Sequence, residues 1–414
     1  MPVASSWCAR TTLLLPRCGA GMPFEHSSKL SSRFRQDVRS APNSDRWLAL
    51  DVFRALAVLW MIQGHTFTAL LSPSLYRGVW VQPYSVLHGL TAPMFLLGAG
   101  LSYGVVMLGS RSADAHRERE RSRRIVRRAL SLLAIGTLLQ LPRTSLVEVF
   151  TRRDLFIGSF QPGALQLVAS GLLLAEGLRR AFRAQLGFAI VATVTALAIA
   201  FSAPWLWNLR LSSKLALGSW FDGQAGAQFP LSPWLCFFFL GAALAGALGR
   251  SLWQRESRAC GWMPAVGIVA FTCSVGCYAL FVAGVRLTSL YGAHAFWYSN
   301  PLFVVFRAGL ALAWLGVLTA SEGLLVRALE RLPKCARVVR ALAKHSLVAY
   351  VVHLMLLYGT PWNAGLAHEG ASCGVIETCA VFSGVLCVTL VVTLAWERWF
   401  ARATQRLASA AFVR

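Results

Sequence analysis

The sequence predicts an all-α, polytopic membrane bundle of about ten transmembrane helices with both termini cytoplasmic. Three observations predict it. The 414 residues are 56% hydrophobic and only 14% charged, with a mean hydropathy of +0.56, whereas a soluble domain is roughly 45–50% apolar and about 25% charged. The apolar residues fall in charge-poor blocks of about 18–24, the length a helix needs to cross a bilayer. Of the 40 Lys and Arg, 31 fall in the segments this topology places inside and 7 in the outer loops, with Arg54 and Arg307 inside helices. A missed helix would scramble that alternation. The same composition excludes a disordered chain, collagen, a coiled coil and a disulfide-stapled secreted domain.

Taken in chain order, residues 1–44 are rich in Ser and Arg, and the run Leu13–Leu15 is too short for a signal-peptide core. This arm reads as a disordered cytoplasmic tail or as an over-long start ahead of Met22. The membrane domain covers 45–400, with helices at roughly 48–71, 86–108, 129–142, 158–178, 186–206, 230–249, 262–283, 301–320, 343–361 and 373–397. Gln140 and Pro142 end the short third helix, and residues 401–414 form a short basic cytoplasmic tail. Between Arg111 and Arg128 lies a dense basic loop suited to anionic lipids. The net charge of +23 is explained by such short loops, so nucleic acid is not an expected partner. No internal repeat suggests a transporter built from two halves. The ten Cys show no zinc or redox spacing and no metal is expected; Cys373 and Cys379 could pair in an oxidising compartment.

Polar groups within the spans are the functional candidates, because burying them in hydrocarbon is costly. The first helix carries Asp51, Arg54 and His65. Asp51 and Arg54 share a face at i,i+3, and His65 lies about 20° from Arg54 around the helix and about 16 Å further out. Arg307 in the eighth helix lies at a similar depth with no acid in its own helix. Ser346, Tyr350 and His353 share a face of the ninth at i, i+4, i+7. Gln161 and Gln166 lie near the outer start of the fourth helix, and His88 at the outer mouth of the second. Each has a structural alternative: a snorkelling ion pair for Asp51 and Arg54, a backbone cap for His65, interhelical hydrogen bonds for the glutamines and Ser346.

These residues resemble a family. Arg54 and His65 are similar to the Arg-x10-His signature of the membrane acyltransferases of family 3. The stretch Arg46-Trp-Leu-Ala-Leu-Asp51-Val-Phe-Arg54 more closely resembles bacterial relatives of heparan-α-glucosaminide N-acetyltransferase, as do Thr91-Ala-Pro93-Met-Phe95-Leu, Phe229-Pro-Leu-Ser-Pro233-Trp234 and Lys344-His-Ser346-Leu-Val-Ala-Tyr350-Val-Val-His353. Ala55 stands where those relatives often have Gly, and Pro162-Gly163 where many carry an Asp. The heparan enzyme has its catalytic His in the first outer loop; no His lies between Tyr76 and Leu87 here, which leaves His65 as the candidate.

The resemblance implies an integral membrane acyltransferase of the cell (plasma) membrane, moving an acyl group, typically acetyl, from cytoplasmic acetyl-CoA to a carbohydrate or lipid-linked acceptor outside. In that role Asp51 and Arg54 serve the donor. His65 is the base or a transient acetyl carrier, assisted by His353, with Arg307 or Tyr350 on the oxyanion and His88, Gln161 and Gln166 at the acceptor. Two other readings of the same residues are a proton-coupled carrier of an anionic solute, with Arg307 as its anion site, and a membrane scaffold.

Overall fold

A computed structural model describes residues 47–412 apart from 78–80, 110–114, 142–145, 216, 224–225, 249–256, 295 and 361–362. The arm at 1–44 lies outside the described residues. The architecture is all-helical, with no named strand among the described residues. The principal helices are α1 (Leu48–Leu70), α2 (Val81–Gly89), α3 (Thr91–Gly109), α4 (Ala115–Gln140), α5 (Ala164–Ala181), α6 (Gln185–Asn208) and α7 (Leu231–Leu248). They are followed by α8 (Ser257–Val282), α9 (Pro301–Ala320), α10 (Glu322–Arg331), α11 (Pro333–Lys344), α12 (Ser346–Tyr358) and α13 (Val375–Phe412).

Among the described residues seven helical segments are long and apolar enough to cross a membrane, or eight if α11 and α12, bent by 86° at their junction, count as one broken span. The fold is therefore a polytopic helical bundle, as expected, and several helix bounds differ from the expected ones. The third helix begins at Ala115 rather than near 129, so residues 115–128 of the expected basic loop are helical. The fourth begins at Ala164, preceded by a separate short helix, Arg153–Ser159. The ninth is broken next to His345, and the last runs on to Phe412 through the expected tail. Apolarity located the helices, but charged residues at their ends are helical too wherever a partner meets them.

α4 shows how. It runs antiparallel to α5: Glu118 and Ser122 meet Arg179 and Glu176 at one end, and Gln140 meets Gln166 at the other. On its own surface Arg121 pairs with Glu118 and Arg124 with Glu120. Pairs three and four apart support a helix that would otherwise be a row of repelling cations.

α1 is central, packing against α3, α9, α11, α12 and α13. Its first turn is capped from α10: the Glu322 carboxylate accepts the Leu48 N–H at 3.0 Å and the Ala49 N–H at 3.4 Å. A carboxylate there satisfies orphan donors and opposes the positive end of the helix dipole. Close helix approach depends on glycine. A Cβ on Gly100 of α3 would run into the Phe238 carbonyl of α7, and one on Gly267 of α8 would lie 3.0 Å from the Gly316 Cα of α9. Small residues let helix backbones meet where hydrocarbon supplies no hydrophobic driving force. Phe237, Phe238 and Phe239 fill the core beside them. By contrast α8 and α13 leave most of their apolar surface exposed, as lipid-facing helices do. Cys373 and Cys379 are both free thiols.

Candidate functional site

The site forms where the far ends of α1, α2, α9 and α12 converge. His65 stands five residues before the end of α1. His353, fully buried on α12, faces it across 288 residues of sequence: His65 Nδ1 and His353 Nε2 are 3.0 Å apart. The ring planes differ by 25° and the centroids are 5.1 Å apart. That separation is one ring radius on each side of an in-plane N···N bond, so the imidazoles lie edge to edge rather than face on.

Their tautomers follow from one further contact. His353 Nδ1 is 2.8 Å from the Ala349 carbonyl oxygen. A carbonyl only accepts, so Nδ1 carries the proton and, in the neutral ring, Nε2 carries a lone pair. That lone pair must accept the His65 Nδ1–H. His65 Nε2 is thereby left with the lone pair of a base. The tautomers are assigned from this network.

Around the pair, Tyr350 lies edge-on to His353 one turn earlier on α12, with ring centroids 5.6 Å apart, and Tyr358 lies edge-on to His65 at 6.1 Å. Tyr350 also packs against Phe95 of α3. His88 comes from α2. Its ring lies over Gly64, so that any Cβ there would strike it, and it lies parallel to Tyr84 at 5.9 Å. Its Nδ1 is buried with no hydrogen-bond partner. His88 thus lies against α1 at the residue before His65, and the residue after it, Gly89, faces Arg307.

Arg307 is held on α9 by a well-formed helix start: Pro301 sits in the first turn, and the Asn300 side chain accepts the Leu302 N–H at 2.8 Å. Its guanidinium lies 4.0 Å over the Phe303 ring and 5.2 Å from that of Trp234. Gly89 lets it close in, since a Cβ there would sit 2.9 Å from Nη2. Pro233, Trp234, Phe237, Tyr298, Phe303 and Val304 surround it in a shallow, closely packed surface depression.

Other candidates lie elsewhere. Asp51 is buried in the first turn of α1, and Arg54 is half-buried one turn on, its Cγ 3.3 Å from where a Gly98 Cβ would stand. Gln166 is engaged in structure: its Oε1 accepts the Gly163 N–H at 3.2 Å, and its Nε2 donates to Gln140 Oε1 at 3.3 Å. Gln161 is half-buried in the turn before α5. Among the described residues no three His, Cys, Asp or Glu come together to hold a metal ion.

Sequence reasoning missed one cluster. Glu176 and Arg179 of α5 are buried together. Tyr103 donates to Glu176 at 3.0 Å, Ser122 also donates to it, Arg179 meets it at 2.8 and 2.9 Å, and Arg180 at 3.0 Å. Arg179 reaches Glu118 as well. The signal was an acid three and four residues ahead of two arginines, inside a stretch read as a span.

Residues 46–284 match the family model described as heparan-alpha-glucosaminide N-acetyltransferase, catalytic. No curated protein matches the chain.

Proposed function

The chain belongs to the heparan-alpha-glucosaminide N-acetyltransferase catalytic family, a membrane acetyltransferase family, and from that premise we propose that it moves an acetyl group from cytoplasmic acetyl-CoA to a hydroxyl or amine of a sugar-type acceptor on the outer side of the cell membrane. The bundle is oriented with both termini inside. Arg54 and the basic residues at that end of the bundle hold the donor's phosphates. The pantetheine arm then follows α1, whose rise from Arg54 to His65 is about 16 Å.

At the far end, His65 Nε2 takes the proton of the acceptor hydroxyl or amine as that atom attacks the thioester carbonyl. The resulting oxyanion is met by the Tyr350 hydroxyl. Collapse of the tetrahedral species breaks the C–S bond, and the departing thiolate recovers the proton from the His65 imidazolium. Throughout, the His65 Nδ1–H stays on His353, so the ring neither turns nor changes tautomer. His353 is thus a positioning residue. His88 faces the acceptor.

The observation that supports this reading is the His65–His353 bond together with its Ala349 anchor. A backbone carbonyl, an imidazole and a second imidazole in series hold the His65 ring in one orientation and one tautomer, with Nε2 left as the base. The test uses protein purified in detergent with radiolabelled acetyl-CoA and a panel of amino sugars. Wild type binds donor saturably and forms acetylated product. His65→Ala binds donor and forms none, whereas Arg54→Ala loses donor binding. Full acetyl transfer by His65→Ala, or no donor binding by wild type, overturns the proposal.

A further inference from the structure

The segment between α9 and α12 has no part in the chemistry just described. Six cations, Arg327, Arg331, Lys334, Arg337, Arg340 and Lys344, fall within residues 322–344 against two acids, Glu322 and Glu330. Glu322 is already engaged by the start of α1. Among the described residues none of the six cations is ion-paired. That sets the segment apart from α4, where acids three and four residues away offset the arginines. α10 moreover has no fully buried residue.

Around α10 the side chains fall into three adjacent rows, each of two residues four apart. Leu325 and Leu329 are half-buried, with Leu325 packed on the core cluster that holds Ala49, Leu50 and Leu318. Leu324 and Ala328 come next and are exposed, Leu324 by 64%, and the exposed Leu332 follows just past the helix end. Arg327 and Arg331 form the third row, both exposed. Around the helix axis the order is thus protein, apolar surface, positive charge.

The surroundings fix the level at which this helix lies. α10 follows the end of α9, its Glu322 caps the start of α1, and α11 packs on α1 and α13. His345, where the chain bends by 86°, meets Phe400 of α13 at 6.2 Å, one residue after the exposed Trp399 that packs on the exposed Trp396. Exposed tryptophans towards the end of a spanning helix mark the headgroup layer of a bilayer. A helix in that layer with an apolar row beside a cationic row meets acyl chains with one and phosphates with the other. We propose that α10 is an in-plane membrane-surface helix that binds anionic phospholipids of the leaflet around the start of α1. Leu324, Ala328 and Leu332 enter the acyl layer, and Arg327 and Arg331 hold the headgroup phosphates.

The test reads lipid contact rather than acetyl transfer, so it stands apart from the catalytic reading. The full chain carries the photoreactive p-benzoylphenylalanine in place of Leu324 or, as a control on the opposite face, of Glu330. It is reconstituted into bilayer discs of phosphatidylcholine and phosphatidylglycerol in equal parts and irradiated. Mass spectrometry is expected to find lipid attached at position 324 and little at 330. Phosphatidylglycerol is expected to exceed phosphatidylcholine in the adduct by at least about fivefold. Arg327→Gln with Arg331→Gln keeps the adduct and brings the two lipids towards parity, whereas Arg327→Lys with Arg331→Lys keeps the preference. No lipid adduct at 324, an adduct with a second copy of the chain in its place, or equal lipid at 324 and 330 overturns the surface. A preference unchanged by the two glutamines, or lost with the lysines as with the glutamines, overturns the part played by charge.

Discussion

Replacing His353 by alanine removes the ring nitrogen that accepts the His65 Nδ1–H at 3.0 Å. Freed of that bond, His65 turns about its side-chain torsions and populates both tautomers, only one of which carries a lone pair at Nε2. A hydrogen bond between neutral groups contributes about 0.5–1.5 kcal/mol. Orienting partners of metal-bound histidines are worth about 10–100-fold, and the same argument applies to a base. At about 1.4 kcal/mol per factor of ten, the bond alone gives a fall in kcat of about 2–12-fold, and the lost orientation and tautomer raise the expected fall to about 10–100-fold. It is smaller than the loss of about 100–10,000-fold expected of His65→Ala, where the base itself is gone. His353→Gln puts an amide oxygen where Nε2 stood and restores an acceptor, so it recovers most of the loss. The assay is steady-state acetyl transfer, with donor binding measured separately and expected to be unchanged. Unaltered kcat in His353→Ala refutes the positioning role. Equal losses in the alanine and glutamine variants refute it too, because the damage then comes from lost packing.

Two further outcomes follow from contacts elsewhere. Gly64→Ala favours the helix intrinsically but pushes the His88 ring off α1; KM for the acceptor rises while donor binding and thermal stability hold. Glu176→Gln leaves Arg179 buried without its main counter-ion and costs about 3–5 kcal/mol. That appears as a lower thermal midpoint in detergent, and it is less severe when Arg179→Met removes both charges together.

The helices were legible because hydrocarbon admits little else: a backbone that cannot bond to water must bond to itself. Where the reading failed, the failure was electrostatic. Arg123, Arg124 and Arg127 marked a loop by composition, yet α4 passes through them because Glu120 pairs along the helix and α5 packs alongside. Glu176 lay unremarked inside the expected span at 158–178, and only the fold shows Tyr103, Ser122 and two arginines closed around it. Gln166 was legible as an intramembrane polar residue but not as the cap of its own helix, since that depends on Gly163 being the residue before α5.

By itself, the sequence determined that this protein is a membrane bundle and which candidate groups share a face of one helix, since spacing along a face follows from a rise of about 1.5 Å and a turn of about 100° per residue. It could not determine which of these groups meet. His65 and His353 are 288 residues apart, His88 lies against α1 only because position 64 is glycine, and Arg307 closes on position 89 because it too is glycine. Periodicity along one helix carries no information about its rotation against another. That rotation is set by how side chains and glycines interlock across every interface at once, and only the tertiary structure decides it.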